Sequence, residues 1–355
     1  MKIITICGMS EDKVKASLLP LTALESVEKI FLVRRAPVAM AKVESYAPPR
    51  SLNWSLFLTE VYRFFALFSI CLKEKPDWIY AIYFVPHGVY AAIIGRLFHI
   101  PVIQEIIGTD RPLVNKSKNY QRLLSQAEWI GIRGKSSKAE LSYLGIPEEK
   151  YFISVAVNVI DFDLFQPNQS QKIFDFVYVG RLDQNKQVKL IVDAFYILHQ
   201  KNPEIKLLIV GDGPEKINLA DKANNYGISD NVYFAGEQKY QDIPGFLNQA
   251  RIFVMASAFE GLPVAMIEAL SCGLPVIVPD IGDISDIAID GYNALLIDEI
   301  SQDSYVESFS KLINSQVLYE ELVRGALLTR EQFLSEFSLE NAKNSWQEIL
   351  IKTKA

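Results

Sequence analysis

Glu260-Gly261-Leu262-Pro263-Val264-Ala265-Met266-Ile267-Glu268 is the stretch of this chain best suited to chemistry. It follows a short apolar run, Ile252–Met255, that reads as a strand, and Pro263 fits the first turn of the next helix, where its missing N–H is no loss. The backbone N–H groups of Gly261, Leu262 and Val264 then point out of a helix N-terminus, whose free donors and dipole attract phosphate. Glu260 precedes the turn and Glu268 lies inside the helix. Ionised carboxylates only accept hydrogen bonds, so both suit the hydroxyls of a ribose or a sugar. With no ligand, the same segment reads as a carboxylate at a helix start and one exposed glutamate.

Two further pieces lie upstream. Arg181, in Val179-Gly180-Arg181-Leu182, sits just past a strand, and Lys186 lies in the loop that follows. Two cations there can neutralise a diphosphate leaving group, or simply be solvated surface charges. Gly211-Asp212-Gly213-Pro214 forms a tight strand-to-helix turn in which Gly permits positive φ or a close backbone approach.

Other patterns fail on spacing. Asp161-Phe162-Asp163 has the Asp-x-Asp form of a divalent-cation ligand but falls in a linker, away from any phosphate-binding turn. Gly134-Lys135-Ser136 would end a phosphate loop, yet the position that needs its first glycine is Trp129. Gly211-Asp212-Gly213 lacks the third glycine of a dinucleotide fingerprint, since position 216 is Lys. His87, His99 and His199 are scattered, and Cys7, Cys71 and Cys272 show no metal-ligand spacing, so no metal site is expected and a reducing compartment is.

These groups need a scaffold to hold them. Apolar runs at Lys2–Cys7, Lys29–Val33, Trp78–Tyr83, Pro101–Ile106 and Trp129–Ile132 read as strands, with helices at Ser55–Lys73, Gly88–Phe98 and Ser136–Leu144. The alternation restarts with strands at Phe174–Val179, Lys206–Val210, Val232–Phe234, Ile252–Met255 and Pro275–Val278. Helices Val188–Gln200, Ile217–Tyr226 and Pro263–Ser271 lie between them, and Leu322–Lys352 is helical in pattern. Continuous apolar strands with helical crossovers imply parallel sheets covered on both faces, hence two doubly wound α/β domains with ligands at the carboxyl ends of the strands. The expected division is 1–167, 168–328 and a C-terminal helical segment, 329–355.

A chain of 355 residues suits two domains, and 50% apolar with 22% charged residues excludes a disordered chain or a coiled-coil rod. No signal peptide is read at the N-terminus, and the apolar stretch Phe57–Leu72 is interrupted by Thr59, Glu60 and Arg63, short of a membrane span. The expected location is the cytoplasm, with the inner face of the membrane as a place of work. A net charge of −6 argues against nucleic-acid binding. Residues 1–167 carry 20 basic and 16 acidic side chains and the remainder 16 and 26, an asymmetry that suggests different partners for the two halves. Arg34, Arg35, Lys42 and Arg50 precede the aromatic segment Trp54–Leu72, which reads as a core helix of the sheet; a peripheral contact with an anionic membrane is the other reading.

The second half resembles the retaining glycosyltransferases of family 4, which have the GT-B fold. The matching pieces occur in family order: Gly180-Arg181-Leu182 with Lys186, Gly211-Asp212-Gly213-Pro214, Phe234-Ala235-Gly236, Glu260 and Glu268 with seven residues between them, Gly273-Leu274-Pro275-Val276-Ile277, and Gly291-Tyr292-Asn293. The stretch from Asn158 to Pro167 is similar to the family's interdomain segment. The resemblance implies two Rossmann-like domains facing a cleft, with a C-terminal helix packed back on the first. It implies that Arg181 and Lys186 hold the donor diphosphate, Glu260 contacts the donor sugar and Glu268 the ribose. Gly261, Leu262, Pro263 and Val264 then meet sugar and phosphates, Gly211 shapes the adjoining turn, and Gly236, Glu237 and Gln238 border the base. The implied donor is a UDP- or GDP-sugar, the acceptor a glycan or lipid-linked hydroxyl, and no metal or cofactor is required. Many members carry a His before Gly-x-Asp where this chain has Ile107, which leaves Glu105 and His87 as polar substitutes. A sugar-nucleotide epimerase and a nucleotide-sugar-binding subunit without turnover share the fold and stay open.

Overall fold

The computed structural model describes residues 1–52, 54–107, 110–154 and 160–352. The chain divides into two compact units, one formed by the residues before Ile160 together with those from Phe337 on, the other by Ile160–Glu336.

The first stretch runs β1 (Lys2–Ile6), α1 (Glu11–Ala23), β2 (Lys29–Val33), β3 (Val43–Tyr46), α2 (Leu56–Glu74), β4 (Trp78–Ile82), α3 (Val89–Phe98) and β5 (Val102–Glu105). It continues with α4 (Arg111–Lys116), α5 (Lys118–Leu124), β6 (Trp129–Ile132), α6 (Lys135–Tyr143) and β7 (Tyr151–Ile153). The second unit begins with β8 (Phe174–Val179), α7 (Val188–His199), β9 (Leu207–Val210), α8 (Lys216–Asn225), β10 (Val232–Gly236), α9 (Ile243–Asn248) and β11 (Ala250–Val254). It ends with α10 (Val264–Ser271), β12 (Val276–Pro279), β13 (Ala294–Ile297), α11 (Gln302–Asn314) and α12 (Gln316–Glu336), before α13 (Leu339–Lys352) returns the chain to the first unit.

Among the described residues the strands form two all-parallel sheets, ordered β3-β2-β1-β4-β5-β6-β7 and β10-β9-β8-β11-β12-β13. The order reverses between β1 and β4 in one and between β8 and β11 in the other, and such switch points open a crevice at the strands' carboxyl ends. Burial explains the strand sequences. All five residues of β4 and all four of β9 are buried, as expected of strands covered on both faces. Both units carry the Rossmann-like architecture of the GT-B fold.

The C-terminal helical pattern is two helices rather than one. Ser338 starts the second, its hydroxyl accepting from the Asn341 N–H at 3.1 Å. The first, α12, packs on α10 in the second unit. The last, α13, lies against α1 and inserts Trp346 into the first unit's core, its ring 4.8 Å from that of Tyr80. Segment 160–168 is held by the second unit. The Phe165 ring lies 5.1 Å from that of Tyr240, Asn248 Nδ2 donates to Gln166 O at 3.0 Å, and the Asn168 N–H donates to Asn248 Oδ1 at 3.0 Å. Asp161 spends a carboxylate oxygen on the Leu164 N–H at 3.1 Å, closing a turn; Asn158 and Val159 lie outside the described residues.

No described helix is long and apolar enough to cross a membrane. Of the three residues that interrupt the apolar run of α2, Thr59 and Arg63 face inward. Thr59 hydrogen-bonds back to Ser55 O at 3.0 Å, and Arg63, 3% exposed, donates to Cys7 O and pairs with Glu60.

Candidate functional site

The candidate residues of the second unit all lie at or beyond the carboxyl ends of β8, β9, β10 and β11, or on the helix that follows. After β8 the chain turns through Gly180 and Arg181 and plants Leu182, fully buried, in the core. Asp183 then caps a short helical turn, Gln184–Lys186, its carboxylate accepting from the Lys186 N–H at 3.2 Å. The other oxygen of Asp183 takes Arg181 Nε at 2.8 Å and Nη2 at 2.5 Å. Arg181 is otherwise in solvent, its side chain 75% exposed. Its guanidinium is therefore oriented at the surface rather than sequestered.

Lys186 is held differently. Asn185 latches the turn to the loop after β11, accepting from the Ala258 N–H at 2.8 Å and donating Nδ2 to Phe259 O at 3.1 Å. This brings the Lys186 ammonium against the Glu260 carboxylate in a charge-assisted hydrogen bond. The pair bridges the loops of β8 and β11, the two strands at the switch point. Nearby, the Tyr178 hydroxyl donates to Arg181 O at 2.7 Å. Burial first, then the charges of Glu260 and Asp183, hold it protonated far above the ordinary range.

The glycine turns set the spacing. Gly180 N–H donates to Val210 O at 3.0 Å and Gly211 N–H to Gly236 O at 2.8 Å, stitching the ends of β8, β9 and β10 together. Gly211 has φ +141°, and a Cβ there would sit 1.9 Å from Gly180 O, so only glycine lets these loops close. Gly236 borders the Lys216 ammonium, which pairs with Asp212 Oδ2 at 2.6 Å. Glu237 is exposed, and Gln238 turns its amide back to Ala235 O at 2.6 Å.

The loop from Glu260 to Pro263 is pinned from below. Gly261 O accepts from the Asp283 N–H at 3.0 Å, and a Cβ on Gly282 would meet Glu260 O at 2.2 Å. Gly261, Leu262 and Pro263 are buried, and Val264 opens α10. Pro263 is not in the first turn, as the sequence suggested. Its ψ of 121° is extended, which makes it the cap residue preceding the helix. Glu268 is 6% exposed, which removes its reading as a solvated surface glutamate. Its charge is felt by two neighbours. Burial and then Glu268 raise the Tyr240 hydroxyl above its usual range and push the Cys272 thiol up to about 12.

Sequence reasoning passed over Asp183, Asn185, Lys216 and Asp283, which orient the site. Asp183 carried a readable signal, a capping residue just before the turn that presents Lys186. Lys216 pairs with Asp212 four residues back, a spacing that says nothing of the site, and Asn185 and Asp283 gave no signal because their partners are far away in the chain.

The family model for glycosyl transferases group 1 matches residues 159–327. An uncharacterized glycosyltransferase of Methanocaldococcus jannaschii is 23% identical over 77% of this chain and 74% of its own. The UDP-Gal:alpha-D-GlcNAc-diphosphoundecaprenol alpha-1,3-galactosyltransferase of Escherichia coli is 25% identical over 77% and 75%. Two relatives above 30% identity match over only 26% and 33% of their own lengths. Among solved structures, Anabaena HepE in complex with UDP and glucose superposes with a TM-score of 0.78 at 17% identity, over 99% of each chain.

The second unit, which holds nearly all of the matched segment, carries the cations and carboxylates above; the polar candidates Glu105 and His87 belong to the other unit. Glu105 is fully buried and fully engaged. One oxygen accepts from the Tyr80 hydroxyl at 2.5 Å and from the Ser154 hydroxyl, the other from Arg133 Nη2 at 2.8 Å. Arg133 Nη1 in turn donates to Ser154 O at 2.8 Å. Glu105 is thus a cross-strand clamp, engaged on both oxygens and with no surface open to a substrate. Asp110, also buried, gathers the N–H groups of Phe84 at 2.9 Å and Ile107 at 3.2 Å; Gly108 and Thr109 lie outside the described residues.

His87 follows β4 and lies against Gly8 after β1, with Nδ1 3.1 Å from Ile82 O. Burial, helped by the charge of Arg63, lowers its pKa from 6.5 to about 3. The folded state therefore binds fewer protons than the unfolded one as pH falls below 6.5. Stability contributed by neutral His87 is whole above that pH and is lost progressively toward about 3, at up to ~1.4 kcal/mol per pH unit. We expect His87→Asn, which keeps a donor for Ile82 O, to flatten the acid limb of stability. Urea midpoints measured at pH 7 and at pH 4 check this; an unchanged difference between them would count against it.

Proposed function

We propose that this chain is a retaining glycosyltransferase. It moves a sugar from a UDP- or GDP-linked donor to a hydroxyl of a glycan or lipid-linked acceptor, without a metal ion, in surface polysaccharide or glycolipid synthesis. The observation that carries this reading is the Lys186–Glu260 pair joining the loops of β8 and β11, beside Arg181 and above the start of α10. A diphosphate placed there meets a helix N-terminus and two cations, while Glu260 and Glu268 supply acceptors for hydroxyls. The similarity to an enzyme that uses UDP-Gal and a diphosphoundecaprenol-linked acceptor, and to a protein crystallised with UDP, supports the donor and acceptor classes.

In the proposed step the bond between the sugar's anomeric carbon and the diphosphate oxygen breaks. The acceptor oxygen bonds to that carbon on the same face, and the acceptor proton passes to the departing phosphate. Lys186 and Arg181 then act on charge that grows as the diphosphate leaves, which is where electrostatic stabilisation has its largest effect. Gly261, Leu262, Pro263 and Val264 hold donor groups through their backbone, and Gly211, Gly236, Glu237 and Gln238 shape the nucleotide end.

Calorimetric titration of UDP and GDP in EDTA, on wild type and on Glu268→Ala, tests the reading. We expect one nucleotide to bind in the micromolar range and Glu268→Ala to weaken it about 10–100-fold, the loss of a hydrogen bond to a charged group. No binding of either nucleotide would overturn the donor site. Release of an isomerised donor with no acceptor present would favour an epimerase.

A further inference from the structure

Helix α2 has an unusual outer face. Thr59, Arg63, Leu67, Ile70 and Cys71 are buried against the sheet, so the helix is satisfied on one side. On the other side Phe57, Val61 and Phe65 repeat every fourth residue and stand in solvent, the two phenylalanines 75% and 61% exposed. Trp54, just ahead of the helix, is 80% exposed. Helix α3 packs alongside through the ring pairs Phe64–Tyr90 at 5.5 Å and Phe68–Phe98 at 5.2 Å, and it exposes Ile93 and Leu97 at the same spacing. A row of large apolar side chains across two adjacent helices exceeds the scattered exposure of an ordinary surface.

Cations edge this face. Arg50, Lys73, Lys75 and Arg96 are exposed, and Arg96 sits three residues after Ile93, on the same side of α3. The acids on α2 are engaged: Glu60 with Arg63, and Glu74 with Lys2. We infer that the outer face of α2 and α3 docks this protein on an anionic lipid bilayer, lying in the headgroup region without crossing it. Aromatic side chains favour that interface, and each nearby cation adds attraction to an anionic leaflet. A second copy of the chain fits less well, because self-pairing would set these cations against one another. The sequence reading of Trp54–Leu72 as a core helix holds for its inner face alone.

Co-flotation with phosphatidylglycerol and with phosphatidylcholine vesicles at low salt tests this. The assay contains no sugar nucleotide, so its outcome is independent of the donor-site reading. We expect flotation with the anionic vesicles, weakened at least tenfold in the double variant Phe57→Ser/Phe65→Ser. Lys73→Ala and Arg96→Ala should each weaken it about fivefold, the equivalent of 1 kcal/mol. Both pairs lie on the surface, and circular dichroism checks that the fold is retained. Absence of flotation, flotation unchanged in the serine double variant, or a concentration-dependent dimer that this variant dissolves would each overturn the proposal.

Discussion

Lys186→Ala is expected to lower turnover by about 10²–10³-fold, the loss typical when one preorganised group that stabilises developing negative charge is removed. The geometry makes this larger than the loss of an ordinary surface cation. Lys186 is presented by a turn capped by Asp183 and latched by Asn185, and its ammonium balances the Glu260 carboxylate. Deleting it removes a cation and leaves that carboxylate uncompensated where we propose the donor diphosphate binds. Nucleotide affinity and turnover should therefore fall together, and Lys186→Arg should restore part of both. Arg181→Ala should cost less, because Arg181 is solvated and its charge is already shared with Asp183. Steady-state rates with the donor identified by calorimetry check the order. Near-normal turnover in both alanine variants would remove the diphosphate role. In Lys186→Ala/Glu260→Ala the losses should not add, since each side chain's position depends on the other.

What was legible in the sequence follows the physics of each element. Strands buried on both faces, such as β4 and β9, announce themselves as unbroken apolar runs. Helix α1 did not, because Pro20 lies within it and its apolar positions are diluted by Lys and Ser. Strands β3 and β7 escaped because they are short and only partly buried. The charged residues of the site were legible by type and by position after strands. Their partnerships were not: Lys186 and Glu260 are 74 residues apart, and only the parallel pairing of β8 with β11 brings their loops together. Burial was the other hidden quantity. It separates Glu268, an internal helix position, from a surface glutamate, and it changes Glu105 from a candidate contact into a structural clamp.

That clamp leads to the second large effect. Glu105→Ala is expected to destabilise the protein by about 3–5 kcal/mol, because Arg133 would keep its charge in the interior with no counterion. The Tyr80 and Ser154 hydroxyls would lose their acceptor in the same step. Burial, then the charge of Glu105, keeps the Tyr80 hydroxyl protonated, so that hydroxyl always offers its proton to the carboxylate. Glu105→Gln retains the shape and one acceptor but not the charge, and should fall between wild type and Glu105→Ala. Chemical denaturation measures the order, and turnover per folded molecule gives the second coordinate. A structural clamp predicts lost stability with turnover kept. Unchanged stability with turnover lost would place Glu105 in the chemistry, despite the three donors it already holds in the interior.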